Sequence, residues 1–264
     1  YVSVEHESNN TVKNVGLFEL SPFSKYEIKG EKAHEELQRL CTANIKNEIG
    51  KCTYTHMLNE GGGIETDLTV VCIEENNFRI ISSAITRTHD KAHILKHLSK
   101  KVQFKDTTDD LVCLGIFGPK SRALLSKIST DNLSNENFKF GTAKNIKLGS
   151  LNIWTQRLSY VGELGYELYV NNEDAKSIYD LIVNNGKEFP IVRHSMPSSV
   201  LTKVSSVPMQ PSGYITLGSI AIVPPIHNGR LNPFAITGVS SNSNPTECPK
   251  KWDLSGFIPM RLSE

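Results

Sequence analysis

The chain has 264 residues, 29 Lys plus Arg against 28 Asp plus Glu, and a formal charge of +1. A near-balanced charge argues against a general nucleic-acid binder, and no apolar run approaches the ~18 residues of a membrane span. Five cysteines, an odd number with no CxxC pair, fit neither a disulfide scaffold nor a zinc site and point to a reducing compartment. Tyr1 opens a polar segment that does not read as a signal peptide, and the absence of an initiator Met suggests a fragment or a processed product.

In chain order, Val15–Leu20 and Lys25–Lys29 read as short strands around Ser21-Pro22, and Glu31–Cys41 as a helix. Tyr54–Leu58 reads as a strand, residues 59–63 as a tight glycine turn, and Leu68–Ile73 with Phe78–Ser82 as a hairpin. Thr86–Lys101 is predicted to be a helix with Ile94, Leu95 and Leu98 on one side. Its His89, His93 and His97 recur every four residues, a spacing that could hold a metal, but on a surface helix they are expected to form a solvated polar face. Leu111–Phe117 is a buried-type strand, and Pro119 opens a helix over Lys120–Ile128. Ile146–Leu148 and Leu151–Gln156 pair across Gly149-Ser150, and Glu167–Val170 is a further strand. Asn172 is placed to cap a helix over Glu173–Asn185 that Gly186 ends. Helices and strands mix without strict alternation, so the fold class is α+β.

Composition changes near Phe189. No Asp or Glu occurs from Phe189 to Thr246, and eight of the twelve prolines lie between Pro197 and Pro249. Residues 1–188 are therefore read as the folded domain. Residues 189–264 are read as a divergent tail rich in Pro, Ser and Asn, either disordered or out of frame. Translation of the coding DNA in the other two frames would separate these.

Two segments carry the chemistry. Tyr54-Thr-His-Met-Leu-Asn-Glu-Gly-Gly-Gly-Ile-Glu-Thr-Asp67-Leu-Thr-Val70 is strand, glycine turn and strand, with Asp67 beside a bend that a ligand could approach. The plain alternative is an Asp serving a turn, and no Lys-Ser/Thr pair follows the glycines to make a phosphate loop. Arg157-Leu-Ser-Tyr160-Val-Gly-Glu163-Leu-Gly-Tyr166-Glu167-Leu168 sets Glu163 between two glycines, which either offers the carboxylate to a pocket or leaves it solvated. His56 has no Cys or Ser partner that spacing picks out, and Lys96, Lys100 and Lys101 read as solvated surface.

These segments closely resemble the aminomethyltransferase-type domain shared by the glycine-cleavage T-protein and the dimethylglycine and sarcosine dehydrogenases. Further agreement lies in Val15–Lys25, Leu40–Asn44, Gly118–Arg122 and Asn132–Phe138, and the Gly-Glu-Leu-Gly detail looks closer to the dehydrogenases. The resemblance implies a cloverleaf-like fold around tetrahydrofolate, incomplete here at its C-terminal end. It implies that Asp67 lies near the reactive nitrogens of the folate, that Glu163 binds the pterin, and that Tyr54, with Tyr160, lines the pocket. It also implies capture of a one-carbon unit from an oxidised N-methyl amino acid. FAD would then belong to a partner flavin dehydrogenase domain, because no GxGxxG fingerprint appears here. The mitochondrial matrix is implied on the same ground. Regulatory and assembly proteins of the same scaffold, such as the pyruvate dehydrogenase phosphatase regulatory subunit, are the alternative. One departure is plain. The family's Arg-Leu-Glu-Lys-like segment, which supplies a basic residue to the folate tail, has no counterpart after Gly186.

Overall fold

The computed structural model describes residues 2–193. The apolar run Leu111–Phe117 (β7) is buried at every position but its first, as a strand covered on both faces should be. It is flanked by β1 (Val15–Glu19) and β10 (Gly165–Asn171). Beyond β10 lie β9 (Leu151–Arg157) and β8 (Thr142–Leu148), and β11 (Ile191–Arg193) closes the other edge of a six-stranded sheet. Only the β1–β11 pair is parallel. A second sheet of five antiparallel strands runs β3 (Cys52–Leu58), β4 (Ile64–Glu74), β5 (Asn77–Ser82), β2 (Ser24–Lys29), β6 (Gln103–Asp106). The α+β reading holds.

Side chains alternate across a strand, so each sheet sorts its residues onto two faces. On the first sheet Leu114, Ile116, Leu168 and Val170 pack under α4 (Ser121–Ile128) and α5 (Asn172–Asn185) through Leu124, Ile128, Ile178 and Ile182. On the second, Ile28, Leu68, Val70, Phe78 and Ile80 pack under α2 (Ala33–Leu40) and α3 (Arg87–His97) through Leu37 and Ile94. Two separate apolar cores result. The residues in between, Lys25, Thr69 and Arg79 on one sheet and Cys113, Gln156, Glu167 and Tyr169 on the other, are buried all the same. The Arg79 guanidinium lies 5.7 Å from the centre of the Tyr169 ring, so the two sheets meet through these polar faces.

Burial of polar groups requires partners. Arg79 Nη2 donates to Glu27 Oε1 at 2.7 Å, and Lys25 Nζ donates to the carbonyls of Ser21 and Phe23, both at 2.8 Å. Burial lowers the Lys25 pKa, consistent with an amine held by neutral carbonyls. Both amide atoms of Gln156, Arg79 Nε and Trp154 Nε1 find no partner among the described residues.

Gly50 stitches the sheets at one end. Its N–H donates to Cys72 O at 2.7 Å and its carbonyl accepts from Ala143 N–H at 2.6 Å. Its φ is +82°, and a Cβ there would sit 2.2 Å from the Ala143 oxygen. Elsewhere, Asn135 Oδ1 accepts from Arg122 Nη2 at 2.6 Å and from Arg157 Nη2 at 2.7 Å, while Arg157 Nη1 donates to Phe138 O. These bonds tie the loop after α4 to the first sheet, so the Gly118–Arg122 and Asn132–Phe138 segments serve the scaffold.

Several local expectations change. Helix α1 (Val2–Lys13) carries no apolar period that would announce it. Strand β6 is too short to show alternation. Helix α3 stops at His97, because Leu98 is extended while its N–H still reaches Ile94 O. Ile94 is buried but Leu95 is 47% exposed. Asn172 lies inside α5, after an Asn171 N-cap that makes no side-chain cap bond, and its Nδ2 donates to Asp109 O at 2.8 Å. Gly186 ends the helix as expected. The residues from 194 onward, most of the predicted tail, lie outside the described residues.

Replacing Gly50 with Ala should lower stability by about 2–4 kcal/mol, since it combines a left-handed backbone with a backbone clash. Urea unfolding of the two chains measures this, and an unchanged midpoint would mean that the crossing is not constrained.

Candidate functional site

The β3–β4 hairpin is the first half of the site. Asn59 Oδ1 accepts from the N–H groups of Gly61 at 3.0 Å and Gly63 at 2.9 Å, and Gly62 takes φ +80°. This closed turn fixes the register in which His56 faces Asp67 and Tyr54 faces Thr69. Diagonal neighbours on one face of a hairpin can touch. Tyr54 Oη donates to Asp67 Oδ2 at 3.1 Å, and the Tyr54 and His56 rings meet edge to face at 5.3 Å. Partial burial and then the Asp67 charge push the Tyr54 phenol up to about 12, so it stays a donor at neutral pH.

The second half is the loop from Leu158 to Leu164. A Cβ on Gly165 would lie 2.6 Å from Leu158 O and 2.5 Å from Phe117 Cδ1, so only glycine lets the loop fold back here. Gly162 supplies the bend, at φ +80°. The loop brings Tyr160 Oη to 2.7 Å from Thr69 Oγ1. The Tyr160 ring is 59% exposed, yet its hydroxyl points into the protein and burial raises its pKa. Tyr160 is thereby held on β4 two residues from Asp67. Glu163 is half-buried, has no hydrogen bond or ion pair to a described residue, and burial raises its pKa.

The structure adds a carboxylate that the motif reading passed over. Glu167 is buried on β10, directly opposite Gln156 of β9, with Oε2 accepting from Tyr169 Oη at 2.8 Å. Burial pushes its carboxyl up to about 7. Its charge, when present, helps to raise the pKa values of Tyr160 and Cys52, after burial in each case. The sequence signal was an acid in the middle of the otherwise apolar Tyr166–Val170 strand. Beside it, the unpartnered Gln156 amide offers one donor and one acceptor.

His89 is exposed, as expected for a surface stripe, but its Nε2 lies 2.8 Å from Glu65 Oε2, and His93 and His97 are half-buried. No group of three or more His, Cys, Asp or Glu among the described residues is placed to hold a metal ion. No helix among them is long and apolar enough to cross a membrane.

Residues 1–200 match the family model of the GCVT N-terminal domain. The chain belongs to that family. This GCVT domain is 35% identical over 188 residues to mitochondrial dimethylglycine dehydrogenase of Rattus norvegicus, across 70% of the chain and 22% of that relative. It is 28% identical over 196 residues to the aminomethyltransferase of Halothermothrix orenii, across 73% of the chain and 54% of the relative. It thus spans under a quarter of the first and about half of the second. The crystal structure of the glycine cleavage system aminomethyltransferase T from Bartonella henselae shares the fold, with a TM-score of 0.62 at 23% identity. That superposition covers 71% of this chain and 50% of the other.

Glu167 makes stability fall as pH rises. In the unfolded chain its carboxyl ionises near its ordinary value, whereas the native state keeps the proton up to about pH 7. Between these values the native state holds the extra proton. The native state should therefore lose on the order of 3 kcal/mol by pH 8. Glu167→Gln should match the parent near pH 4.5 and be the more stable chain at pH 8 in urea unfolding. Parallel pH profiles would mean that Glu167 is solvated.

Proposed function

We propose that this GCVT domain holds a reduced folate and serves one-carbon transfer in a dimethylglycine or sarcosine dehydrogenase-like enzyme. The observation that carries the reading is the convergence of the two motifs. The Tyr160 loop docks on Thr69 of the strand that presents Asp67, which is itself bonded to Tyr54. Two motifs 91 residues apart, at Thr69 and Tyr160, thus supply one site.

The donor set suits a pterin. The edge of a 2-amino-4-oxopteridine presents adjacent N–H donors and a carbonyl acceptor. Glu163, a carboxylate without a partner among the described residues, can accept from such donors in a bidentate, charge-assisted pair. The orphaned Gln156 amide and Glu167 offer a second set of polar groups deeper in the protein. A bound reduced folate would supply the nitrogens that take up the one-carbon unit. Asp67 stabilises positive charge that develops beside it, and the Tyr54 hydroxyl holds one carboxylate oxygen so that the other stays free to face the ligand. Tyr54 and Tyr160 present broad, half-exposed rings against which a flat ligand packs.

The matched relatives include mitochondrial dimethylglycine and sarcosine dehydrogenases, which favours a flavin-bearing partner domain and a matrix location for this chain. FAD and the oxidation of the N-methyl amine belong to that partner.

Titration of the purified chain with 5-formyltetrahydrofolate should show saturable binding. Glu163→Ala should weaken it roughly ten- to a hundredfold, the worth of a charge-assisted pair. Asp67→Asn should leave binding within about threefold and cut one-carbon transfer in the assembled enzyme roughly 10²-fold. Normal transfer and binding in both variants would sink the assignment.

A further inference from the structure

The hairpin that presents Asp67 is gripped from outside by a chain of side chains that no role in ligand binding requires. Asn59, whose Oδ1 closes the glycine turn, donates from Nδ2 to Glu65 Oε1 at 2.9 Å. The second oxygen of Glu65 meets His89 Nε2 of α3 at 2.8 Å. His89 Nδ1 lies 3.3 Å from Asp90 Oδ1, and Asp90, fully buried, accepts at Oδ2 from Thr86 Oγ1 at 2.8 Å. The sequence runs from the anchored start of α3 to the backbone N–H groups of the turn. Glu65 is two residues from Asp67 on the same strand, so the conformation of the turn sets the position of that carboxylate.

We propose that His89 is a positioning residue for Asp67, clamping the glycine turn of the β3–β4 hairpin to α3 through Glu65 and Asn59. The proposal rests on the folate reading for the role of Asp67, while the clamp itself stands on contacts alone. His89 suits the task because both ring nitrogens face carboxylates, Glu65 from the hairpin and Asp90 from its own helix, and an imidazolium can donate to both. His93, Lys96 and His97 of α3 line the cleft between helix and turn, with Glu60 on the opposite wall. His93 is held below its ordinary pKa by burial and by the neighbouring His97, so it adds little charge to oppose His89. The Asp90 and Glu65 hydrogen bonds raise the His89 pKa, and the Asn59 bond lowers that of Glu65. A histidine with a raised native pKa is clamped as the cation below the ordinary imidazole value, and the clamp is lost as pH climbs through the raised one. The turn should be closed at pH 6 and loosened at pH 9.

Amide hydrogen exchange of the 59–65 segment, referenced to an unfolded peptide of the same sequence, reads the turn directly and needs no ligand. In the parent chain, protection should fall roughly three- to fivefold from pH 6 to pH 9, the range of a partly exposed ion pair. His89→Ala should show the low protection at both pH values. His89→Gln, which keeps a donor toward Glu65 but does not titrate, should show no dependence on pH. Protection in β7 and β10 checks that each variant is folded. Affinity for 5-formyltetrahydrofolate should drop by a similar factor in His89→Ala at pH 6 and not at pH 9. Unchanged protection of the turn in His89→Ala at pH 6 would overturn the clamp. Altered protection with unchanged affinity would overturn its link to the site. A parent chain that binds no folate at either pH would overturn the pocket assignment, and the exchange result would still decide the clamp.

Discussion

The structure depends on how two sheets can meet when both have already spent their apolar faces on helices. Leu114, Ile116, Leu168 and Val170 go to α4 and α5, and Ile28, Val70, Phe78 and Ile80 go to α2 and α3. What remains for the contact between sheets includes Lys25, Arg79, Gln156, Glu167 and Tyr169, beside the smaller Thr69, Val71 and Cys113. A polar layer is stable only where its groups answer one another. Lys25 is met by carbonyls, Arg79 by Glu27 and the Tyr169 ring, and Glu167 by the Tyr169 hydroxyl. Among the groups left over are both amide atoms of Gln156, which lies beside Glu167. A buried amide left without protein partners calls for a partner from outside the chain, water or a bound molecule.

Much of this was legible in the sequence because period and punctuation agreed. Leu111–Phe117 announced a central strand, and Gly149-Ser150 the turn between β8 and β9. The two glycine-bearing motifs are distant in sequence and meet in space, with Tyr54 on Asp67 and Tyr160 on Thr69. Other features had no local signature. Helix α1 is held by tertiary contacts such as Asn10 Nδ2 to Pro190 O at 2.6 Å. Glu167 went unread because a strand pattern does not say which of its two faces is covered by a second sheet. The helix period alone predicts a solvent-facing histidine stripe, and the neighbouring hairpin brings Glu65 to His89.

The matched motifs also divide in a way that sequence does not show. The Arg122 and Asn132–Phe138 segments knit a loop to the first sheet, with Asn135 shared between two guanidinium groups. The Tyr54–Val70 and Arg157–Leu168 segments instead meet each other, through Tyr160 on Thr69. Arg157 is bonded within the first sheet's own loops while Tyr160, three residues on, reaches the second sheet, and Gly165 makes that change possible by letting the loop return over β10.

Strands β1 and β11 are parallel neighbours, with Val15 beside Ile191 and Leu17 beside Arg193. Asn10 bridges the same two ends by donating to Val15 O and Pro190 O. The first and last strands of the described fold therefore lie side by side, with α1 packed against both. A domain whose first and last strands pair can sit within a longer polypeptide without parting that sheet. That geometry suits a module whose counterpart occupies only 22% of a much larger dehydrogenase. It also means that α1 and β11, drawn from opposite ends of the described chain, must both be in place for the β1 side of the sheet to be covered.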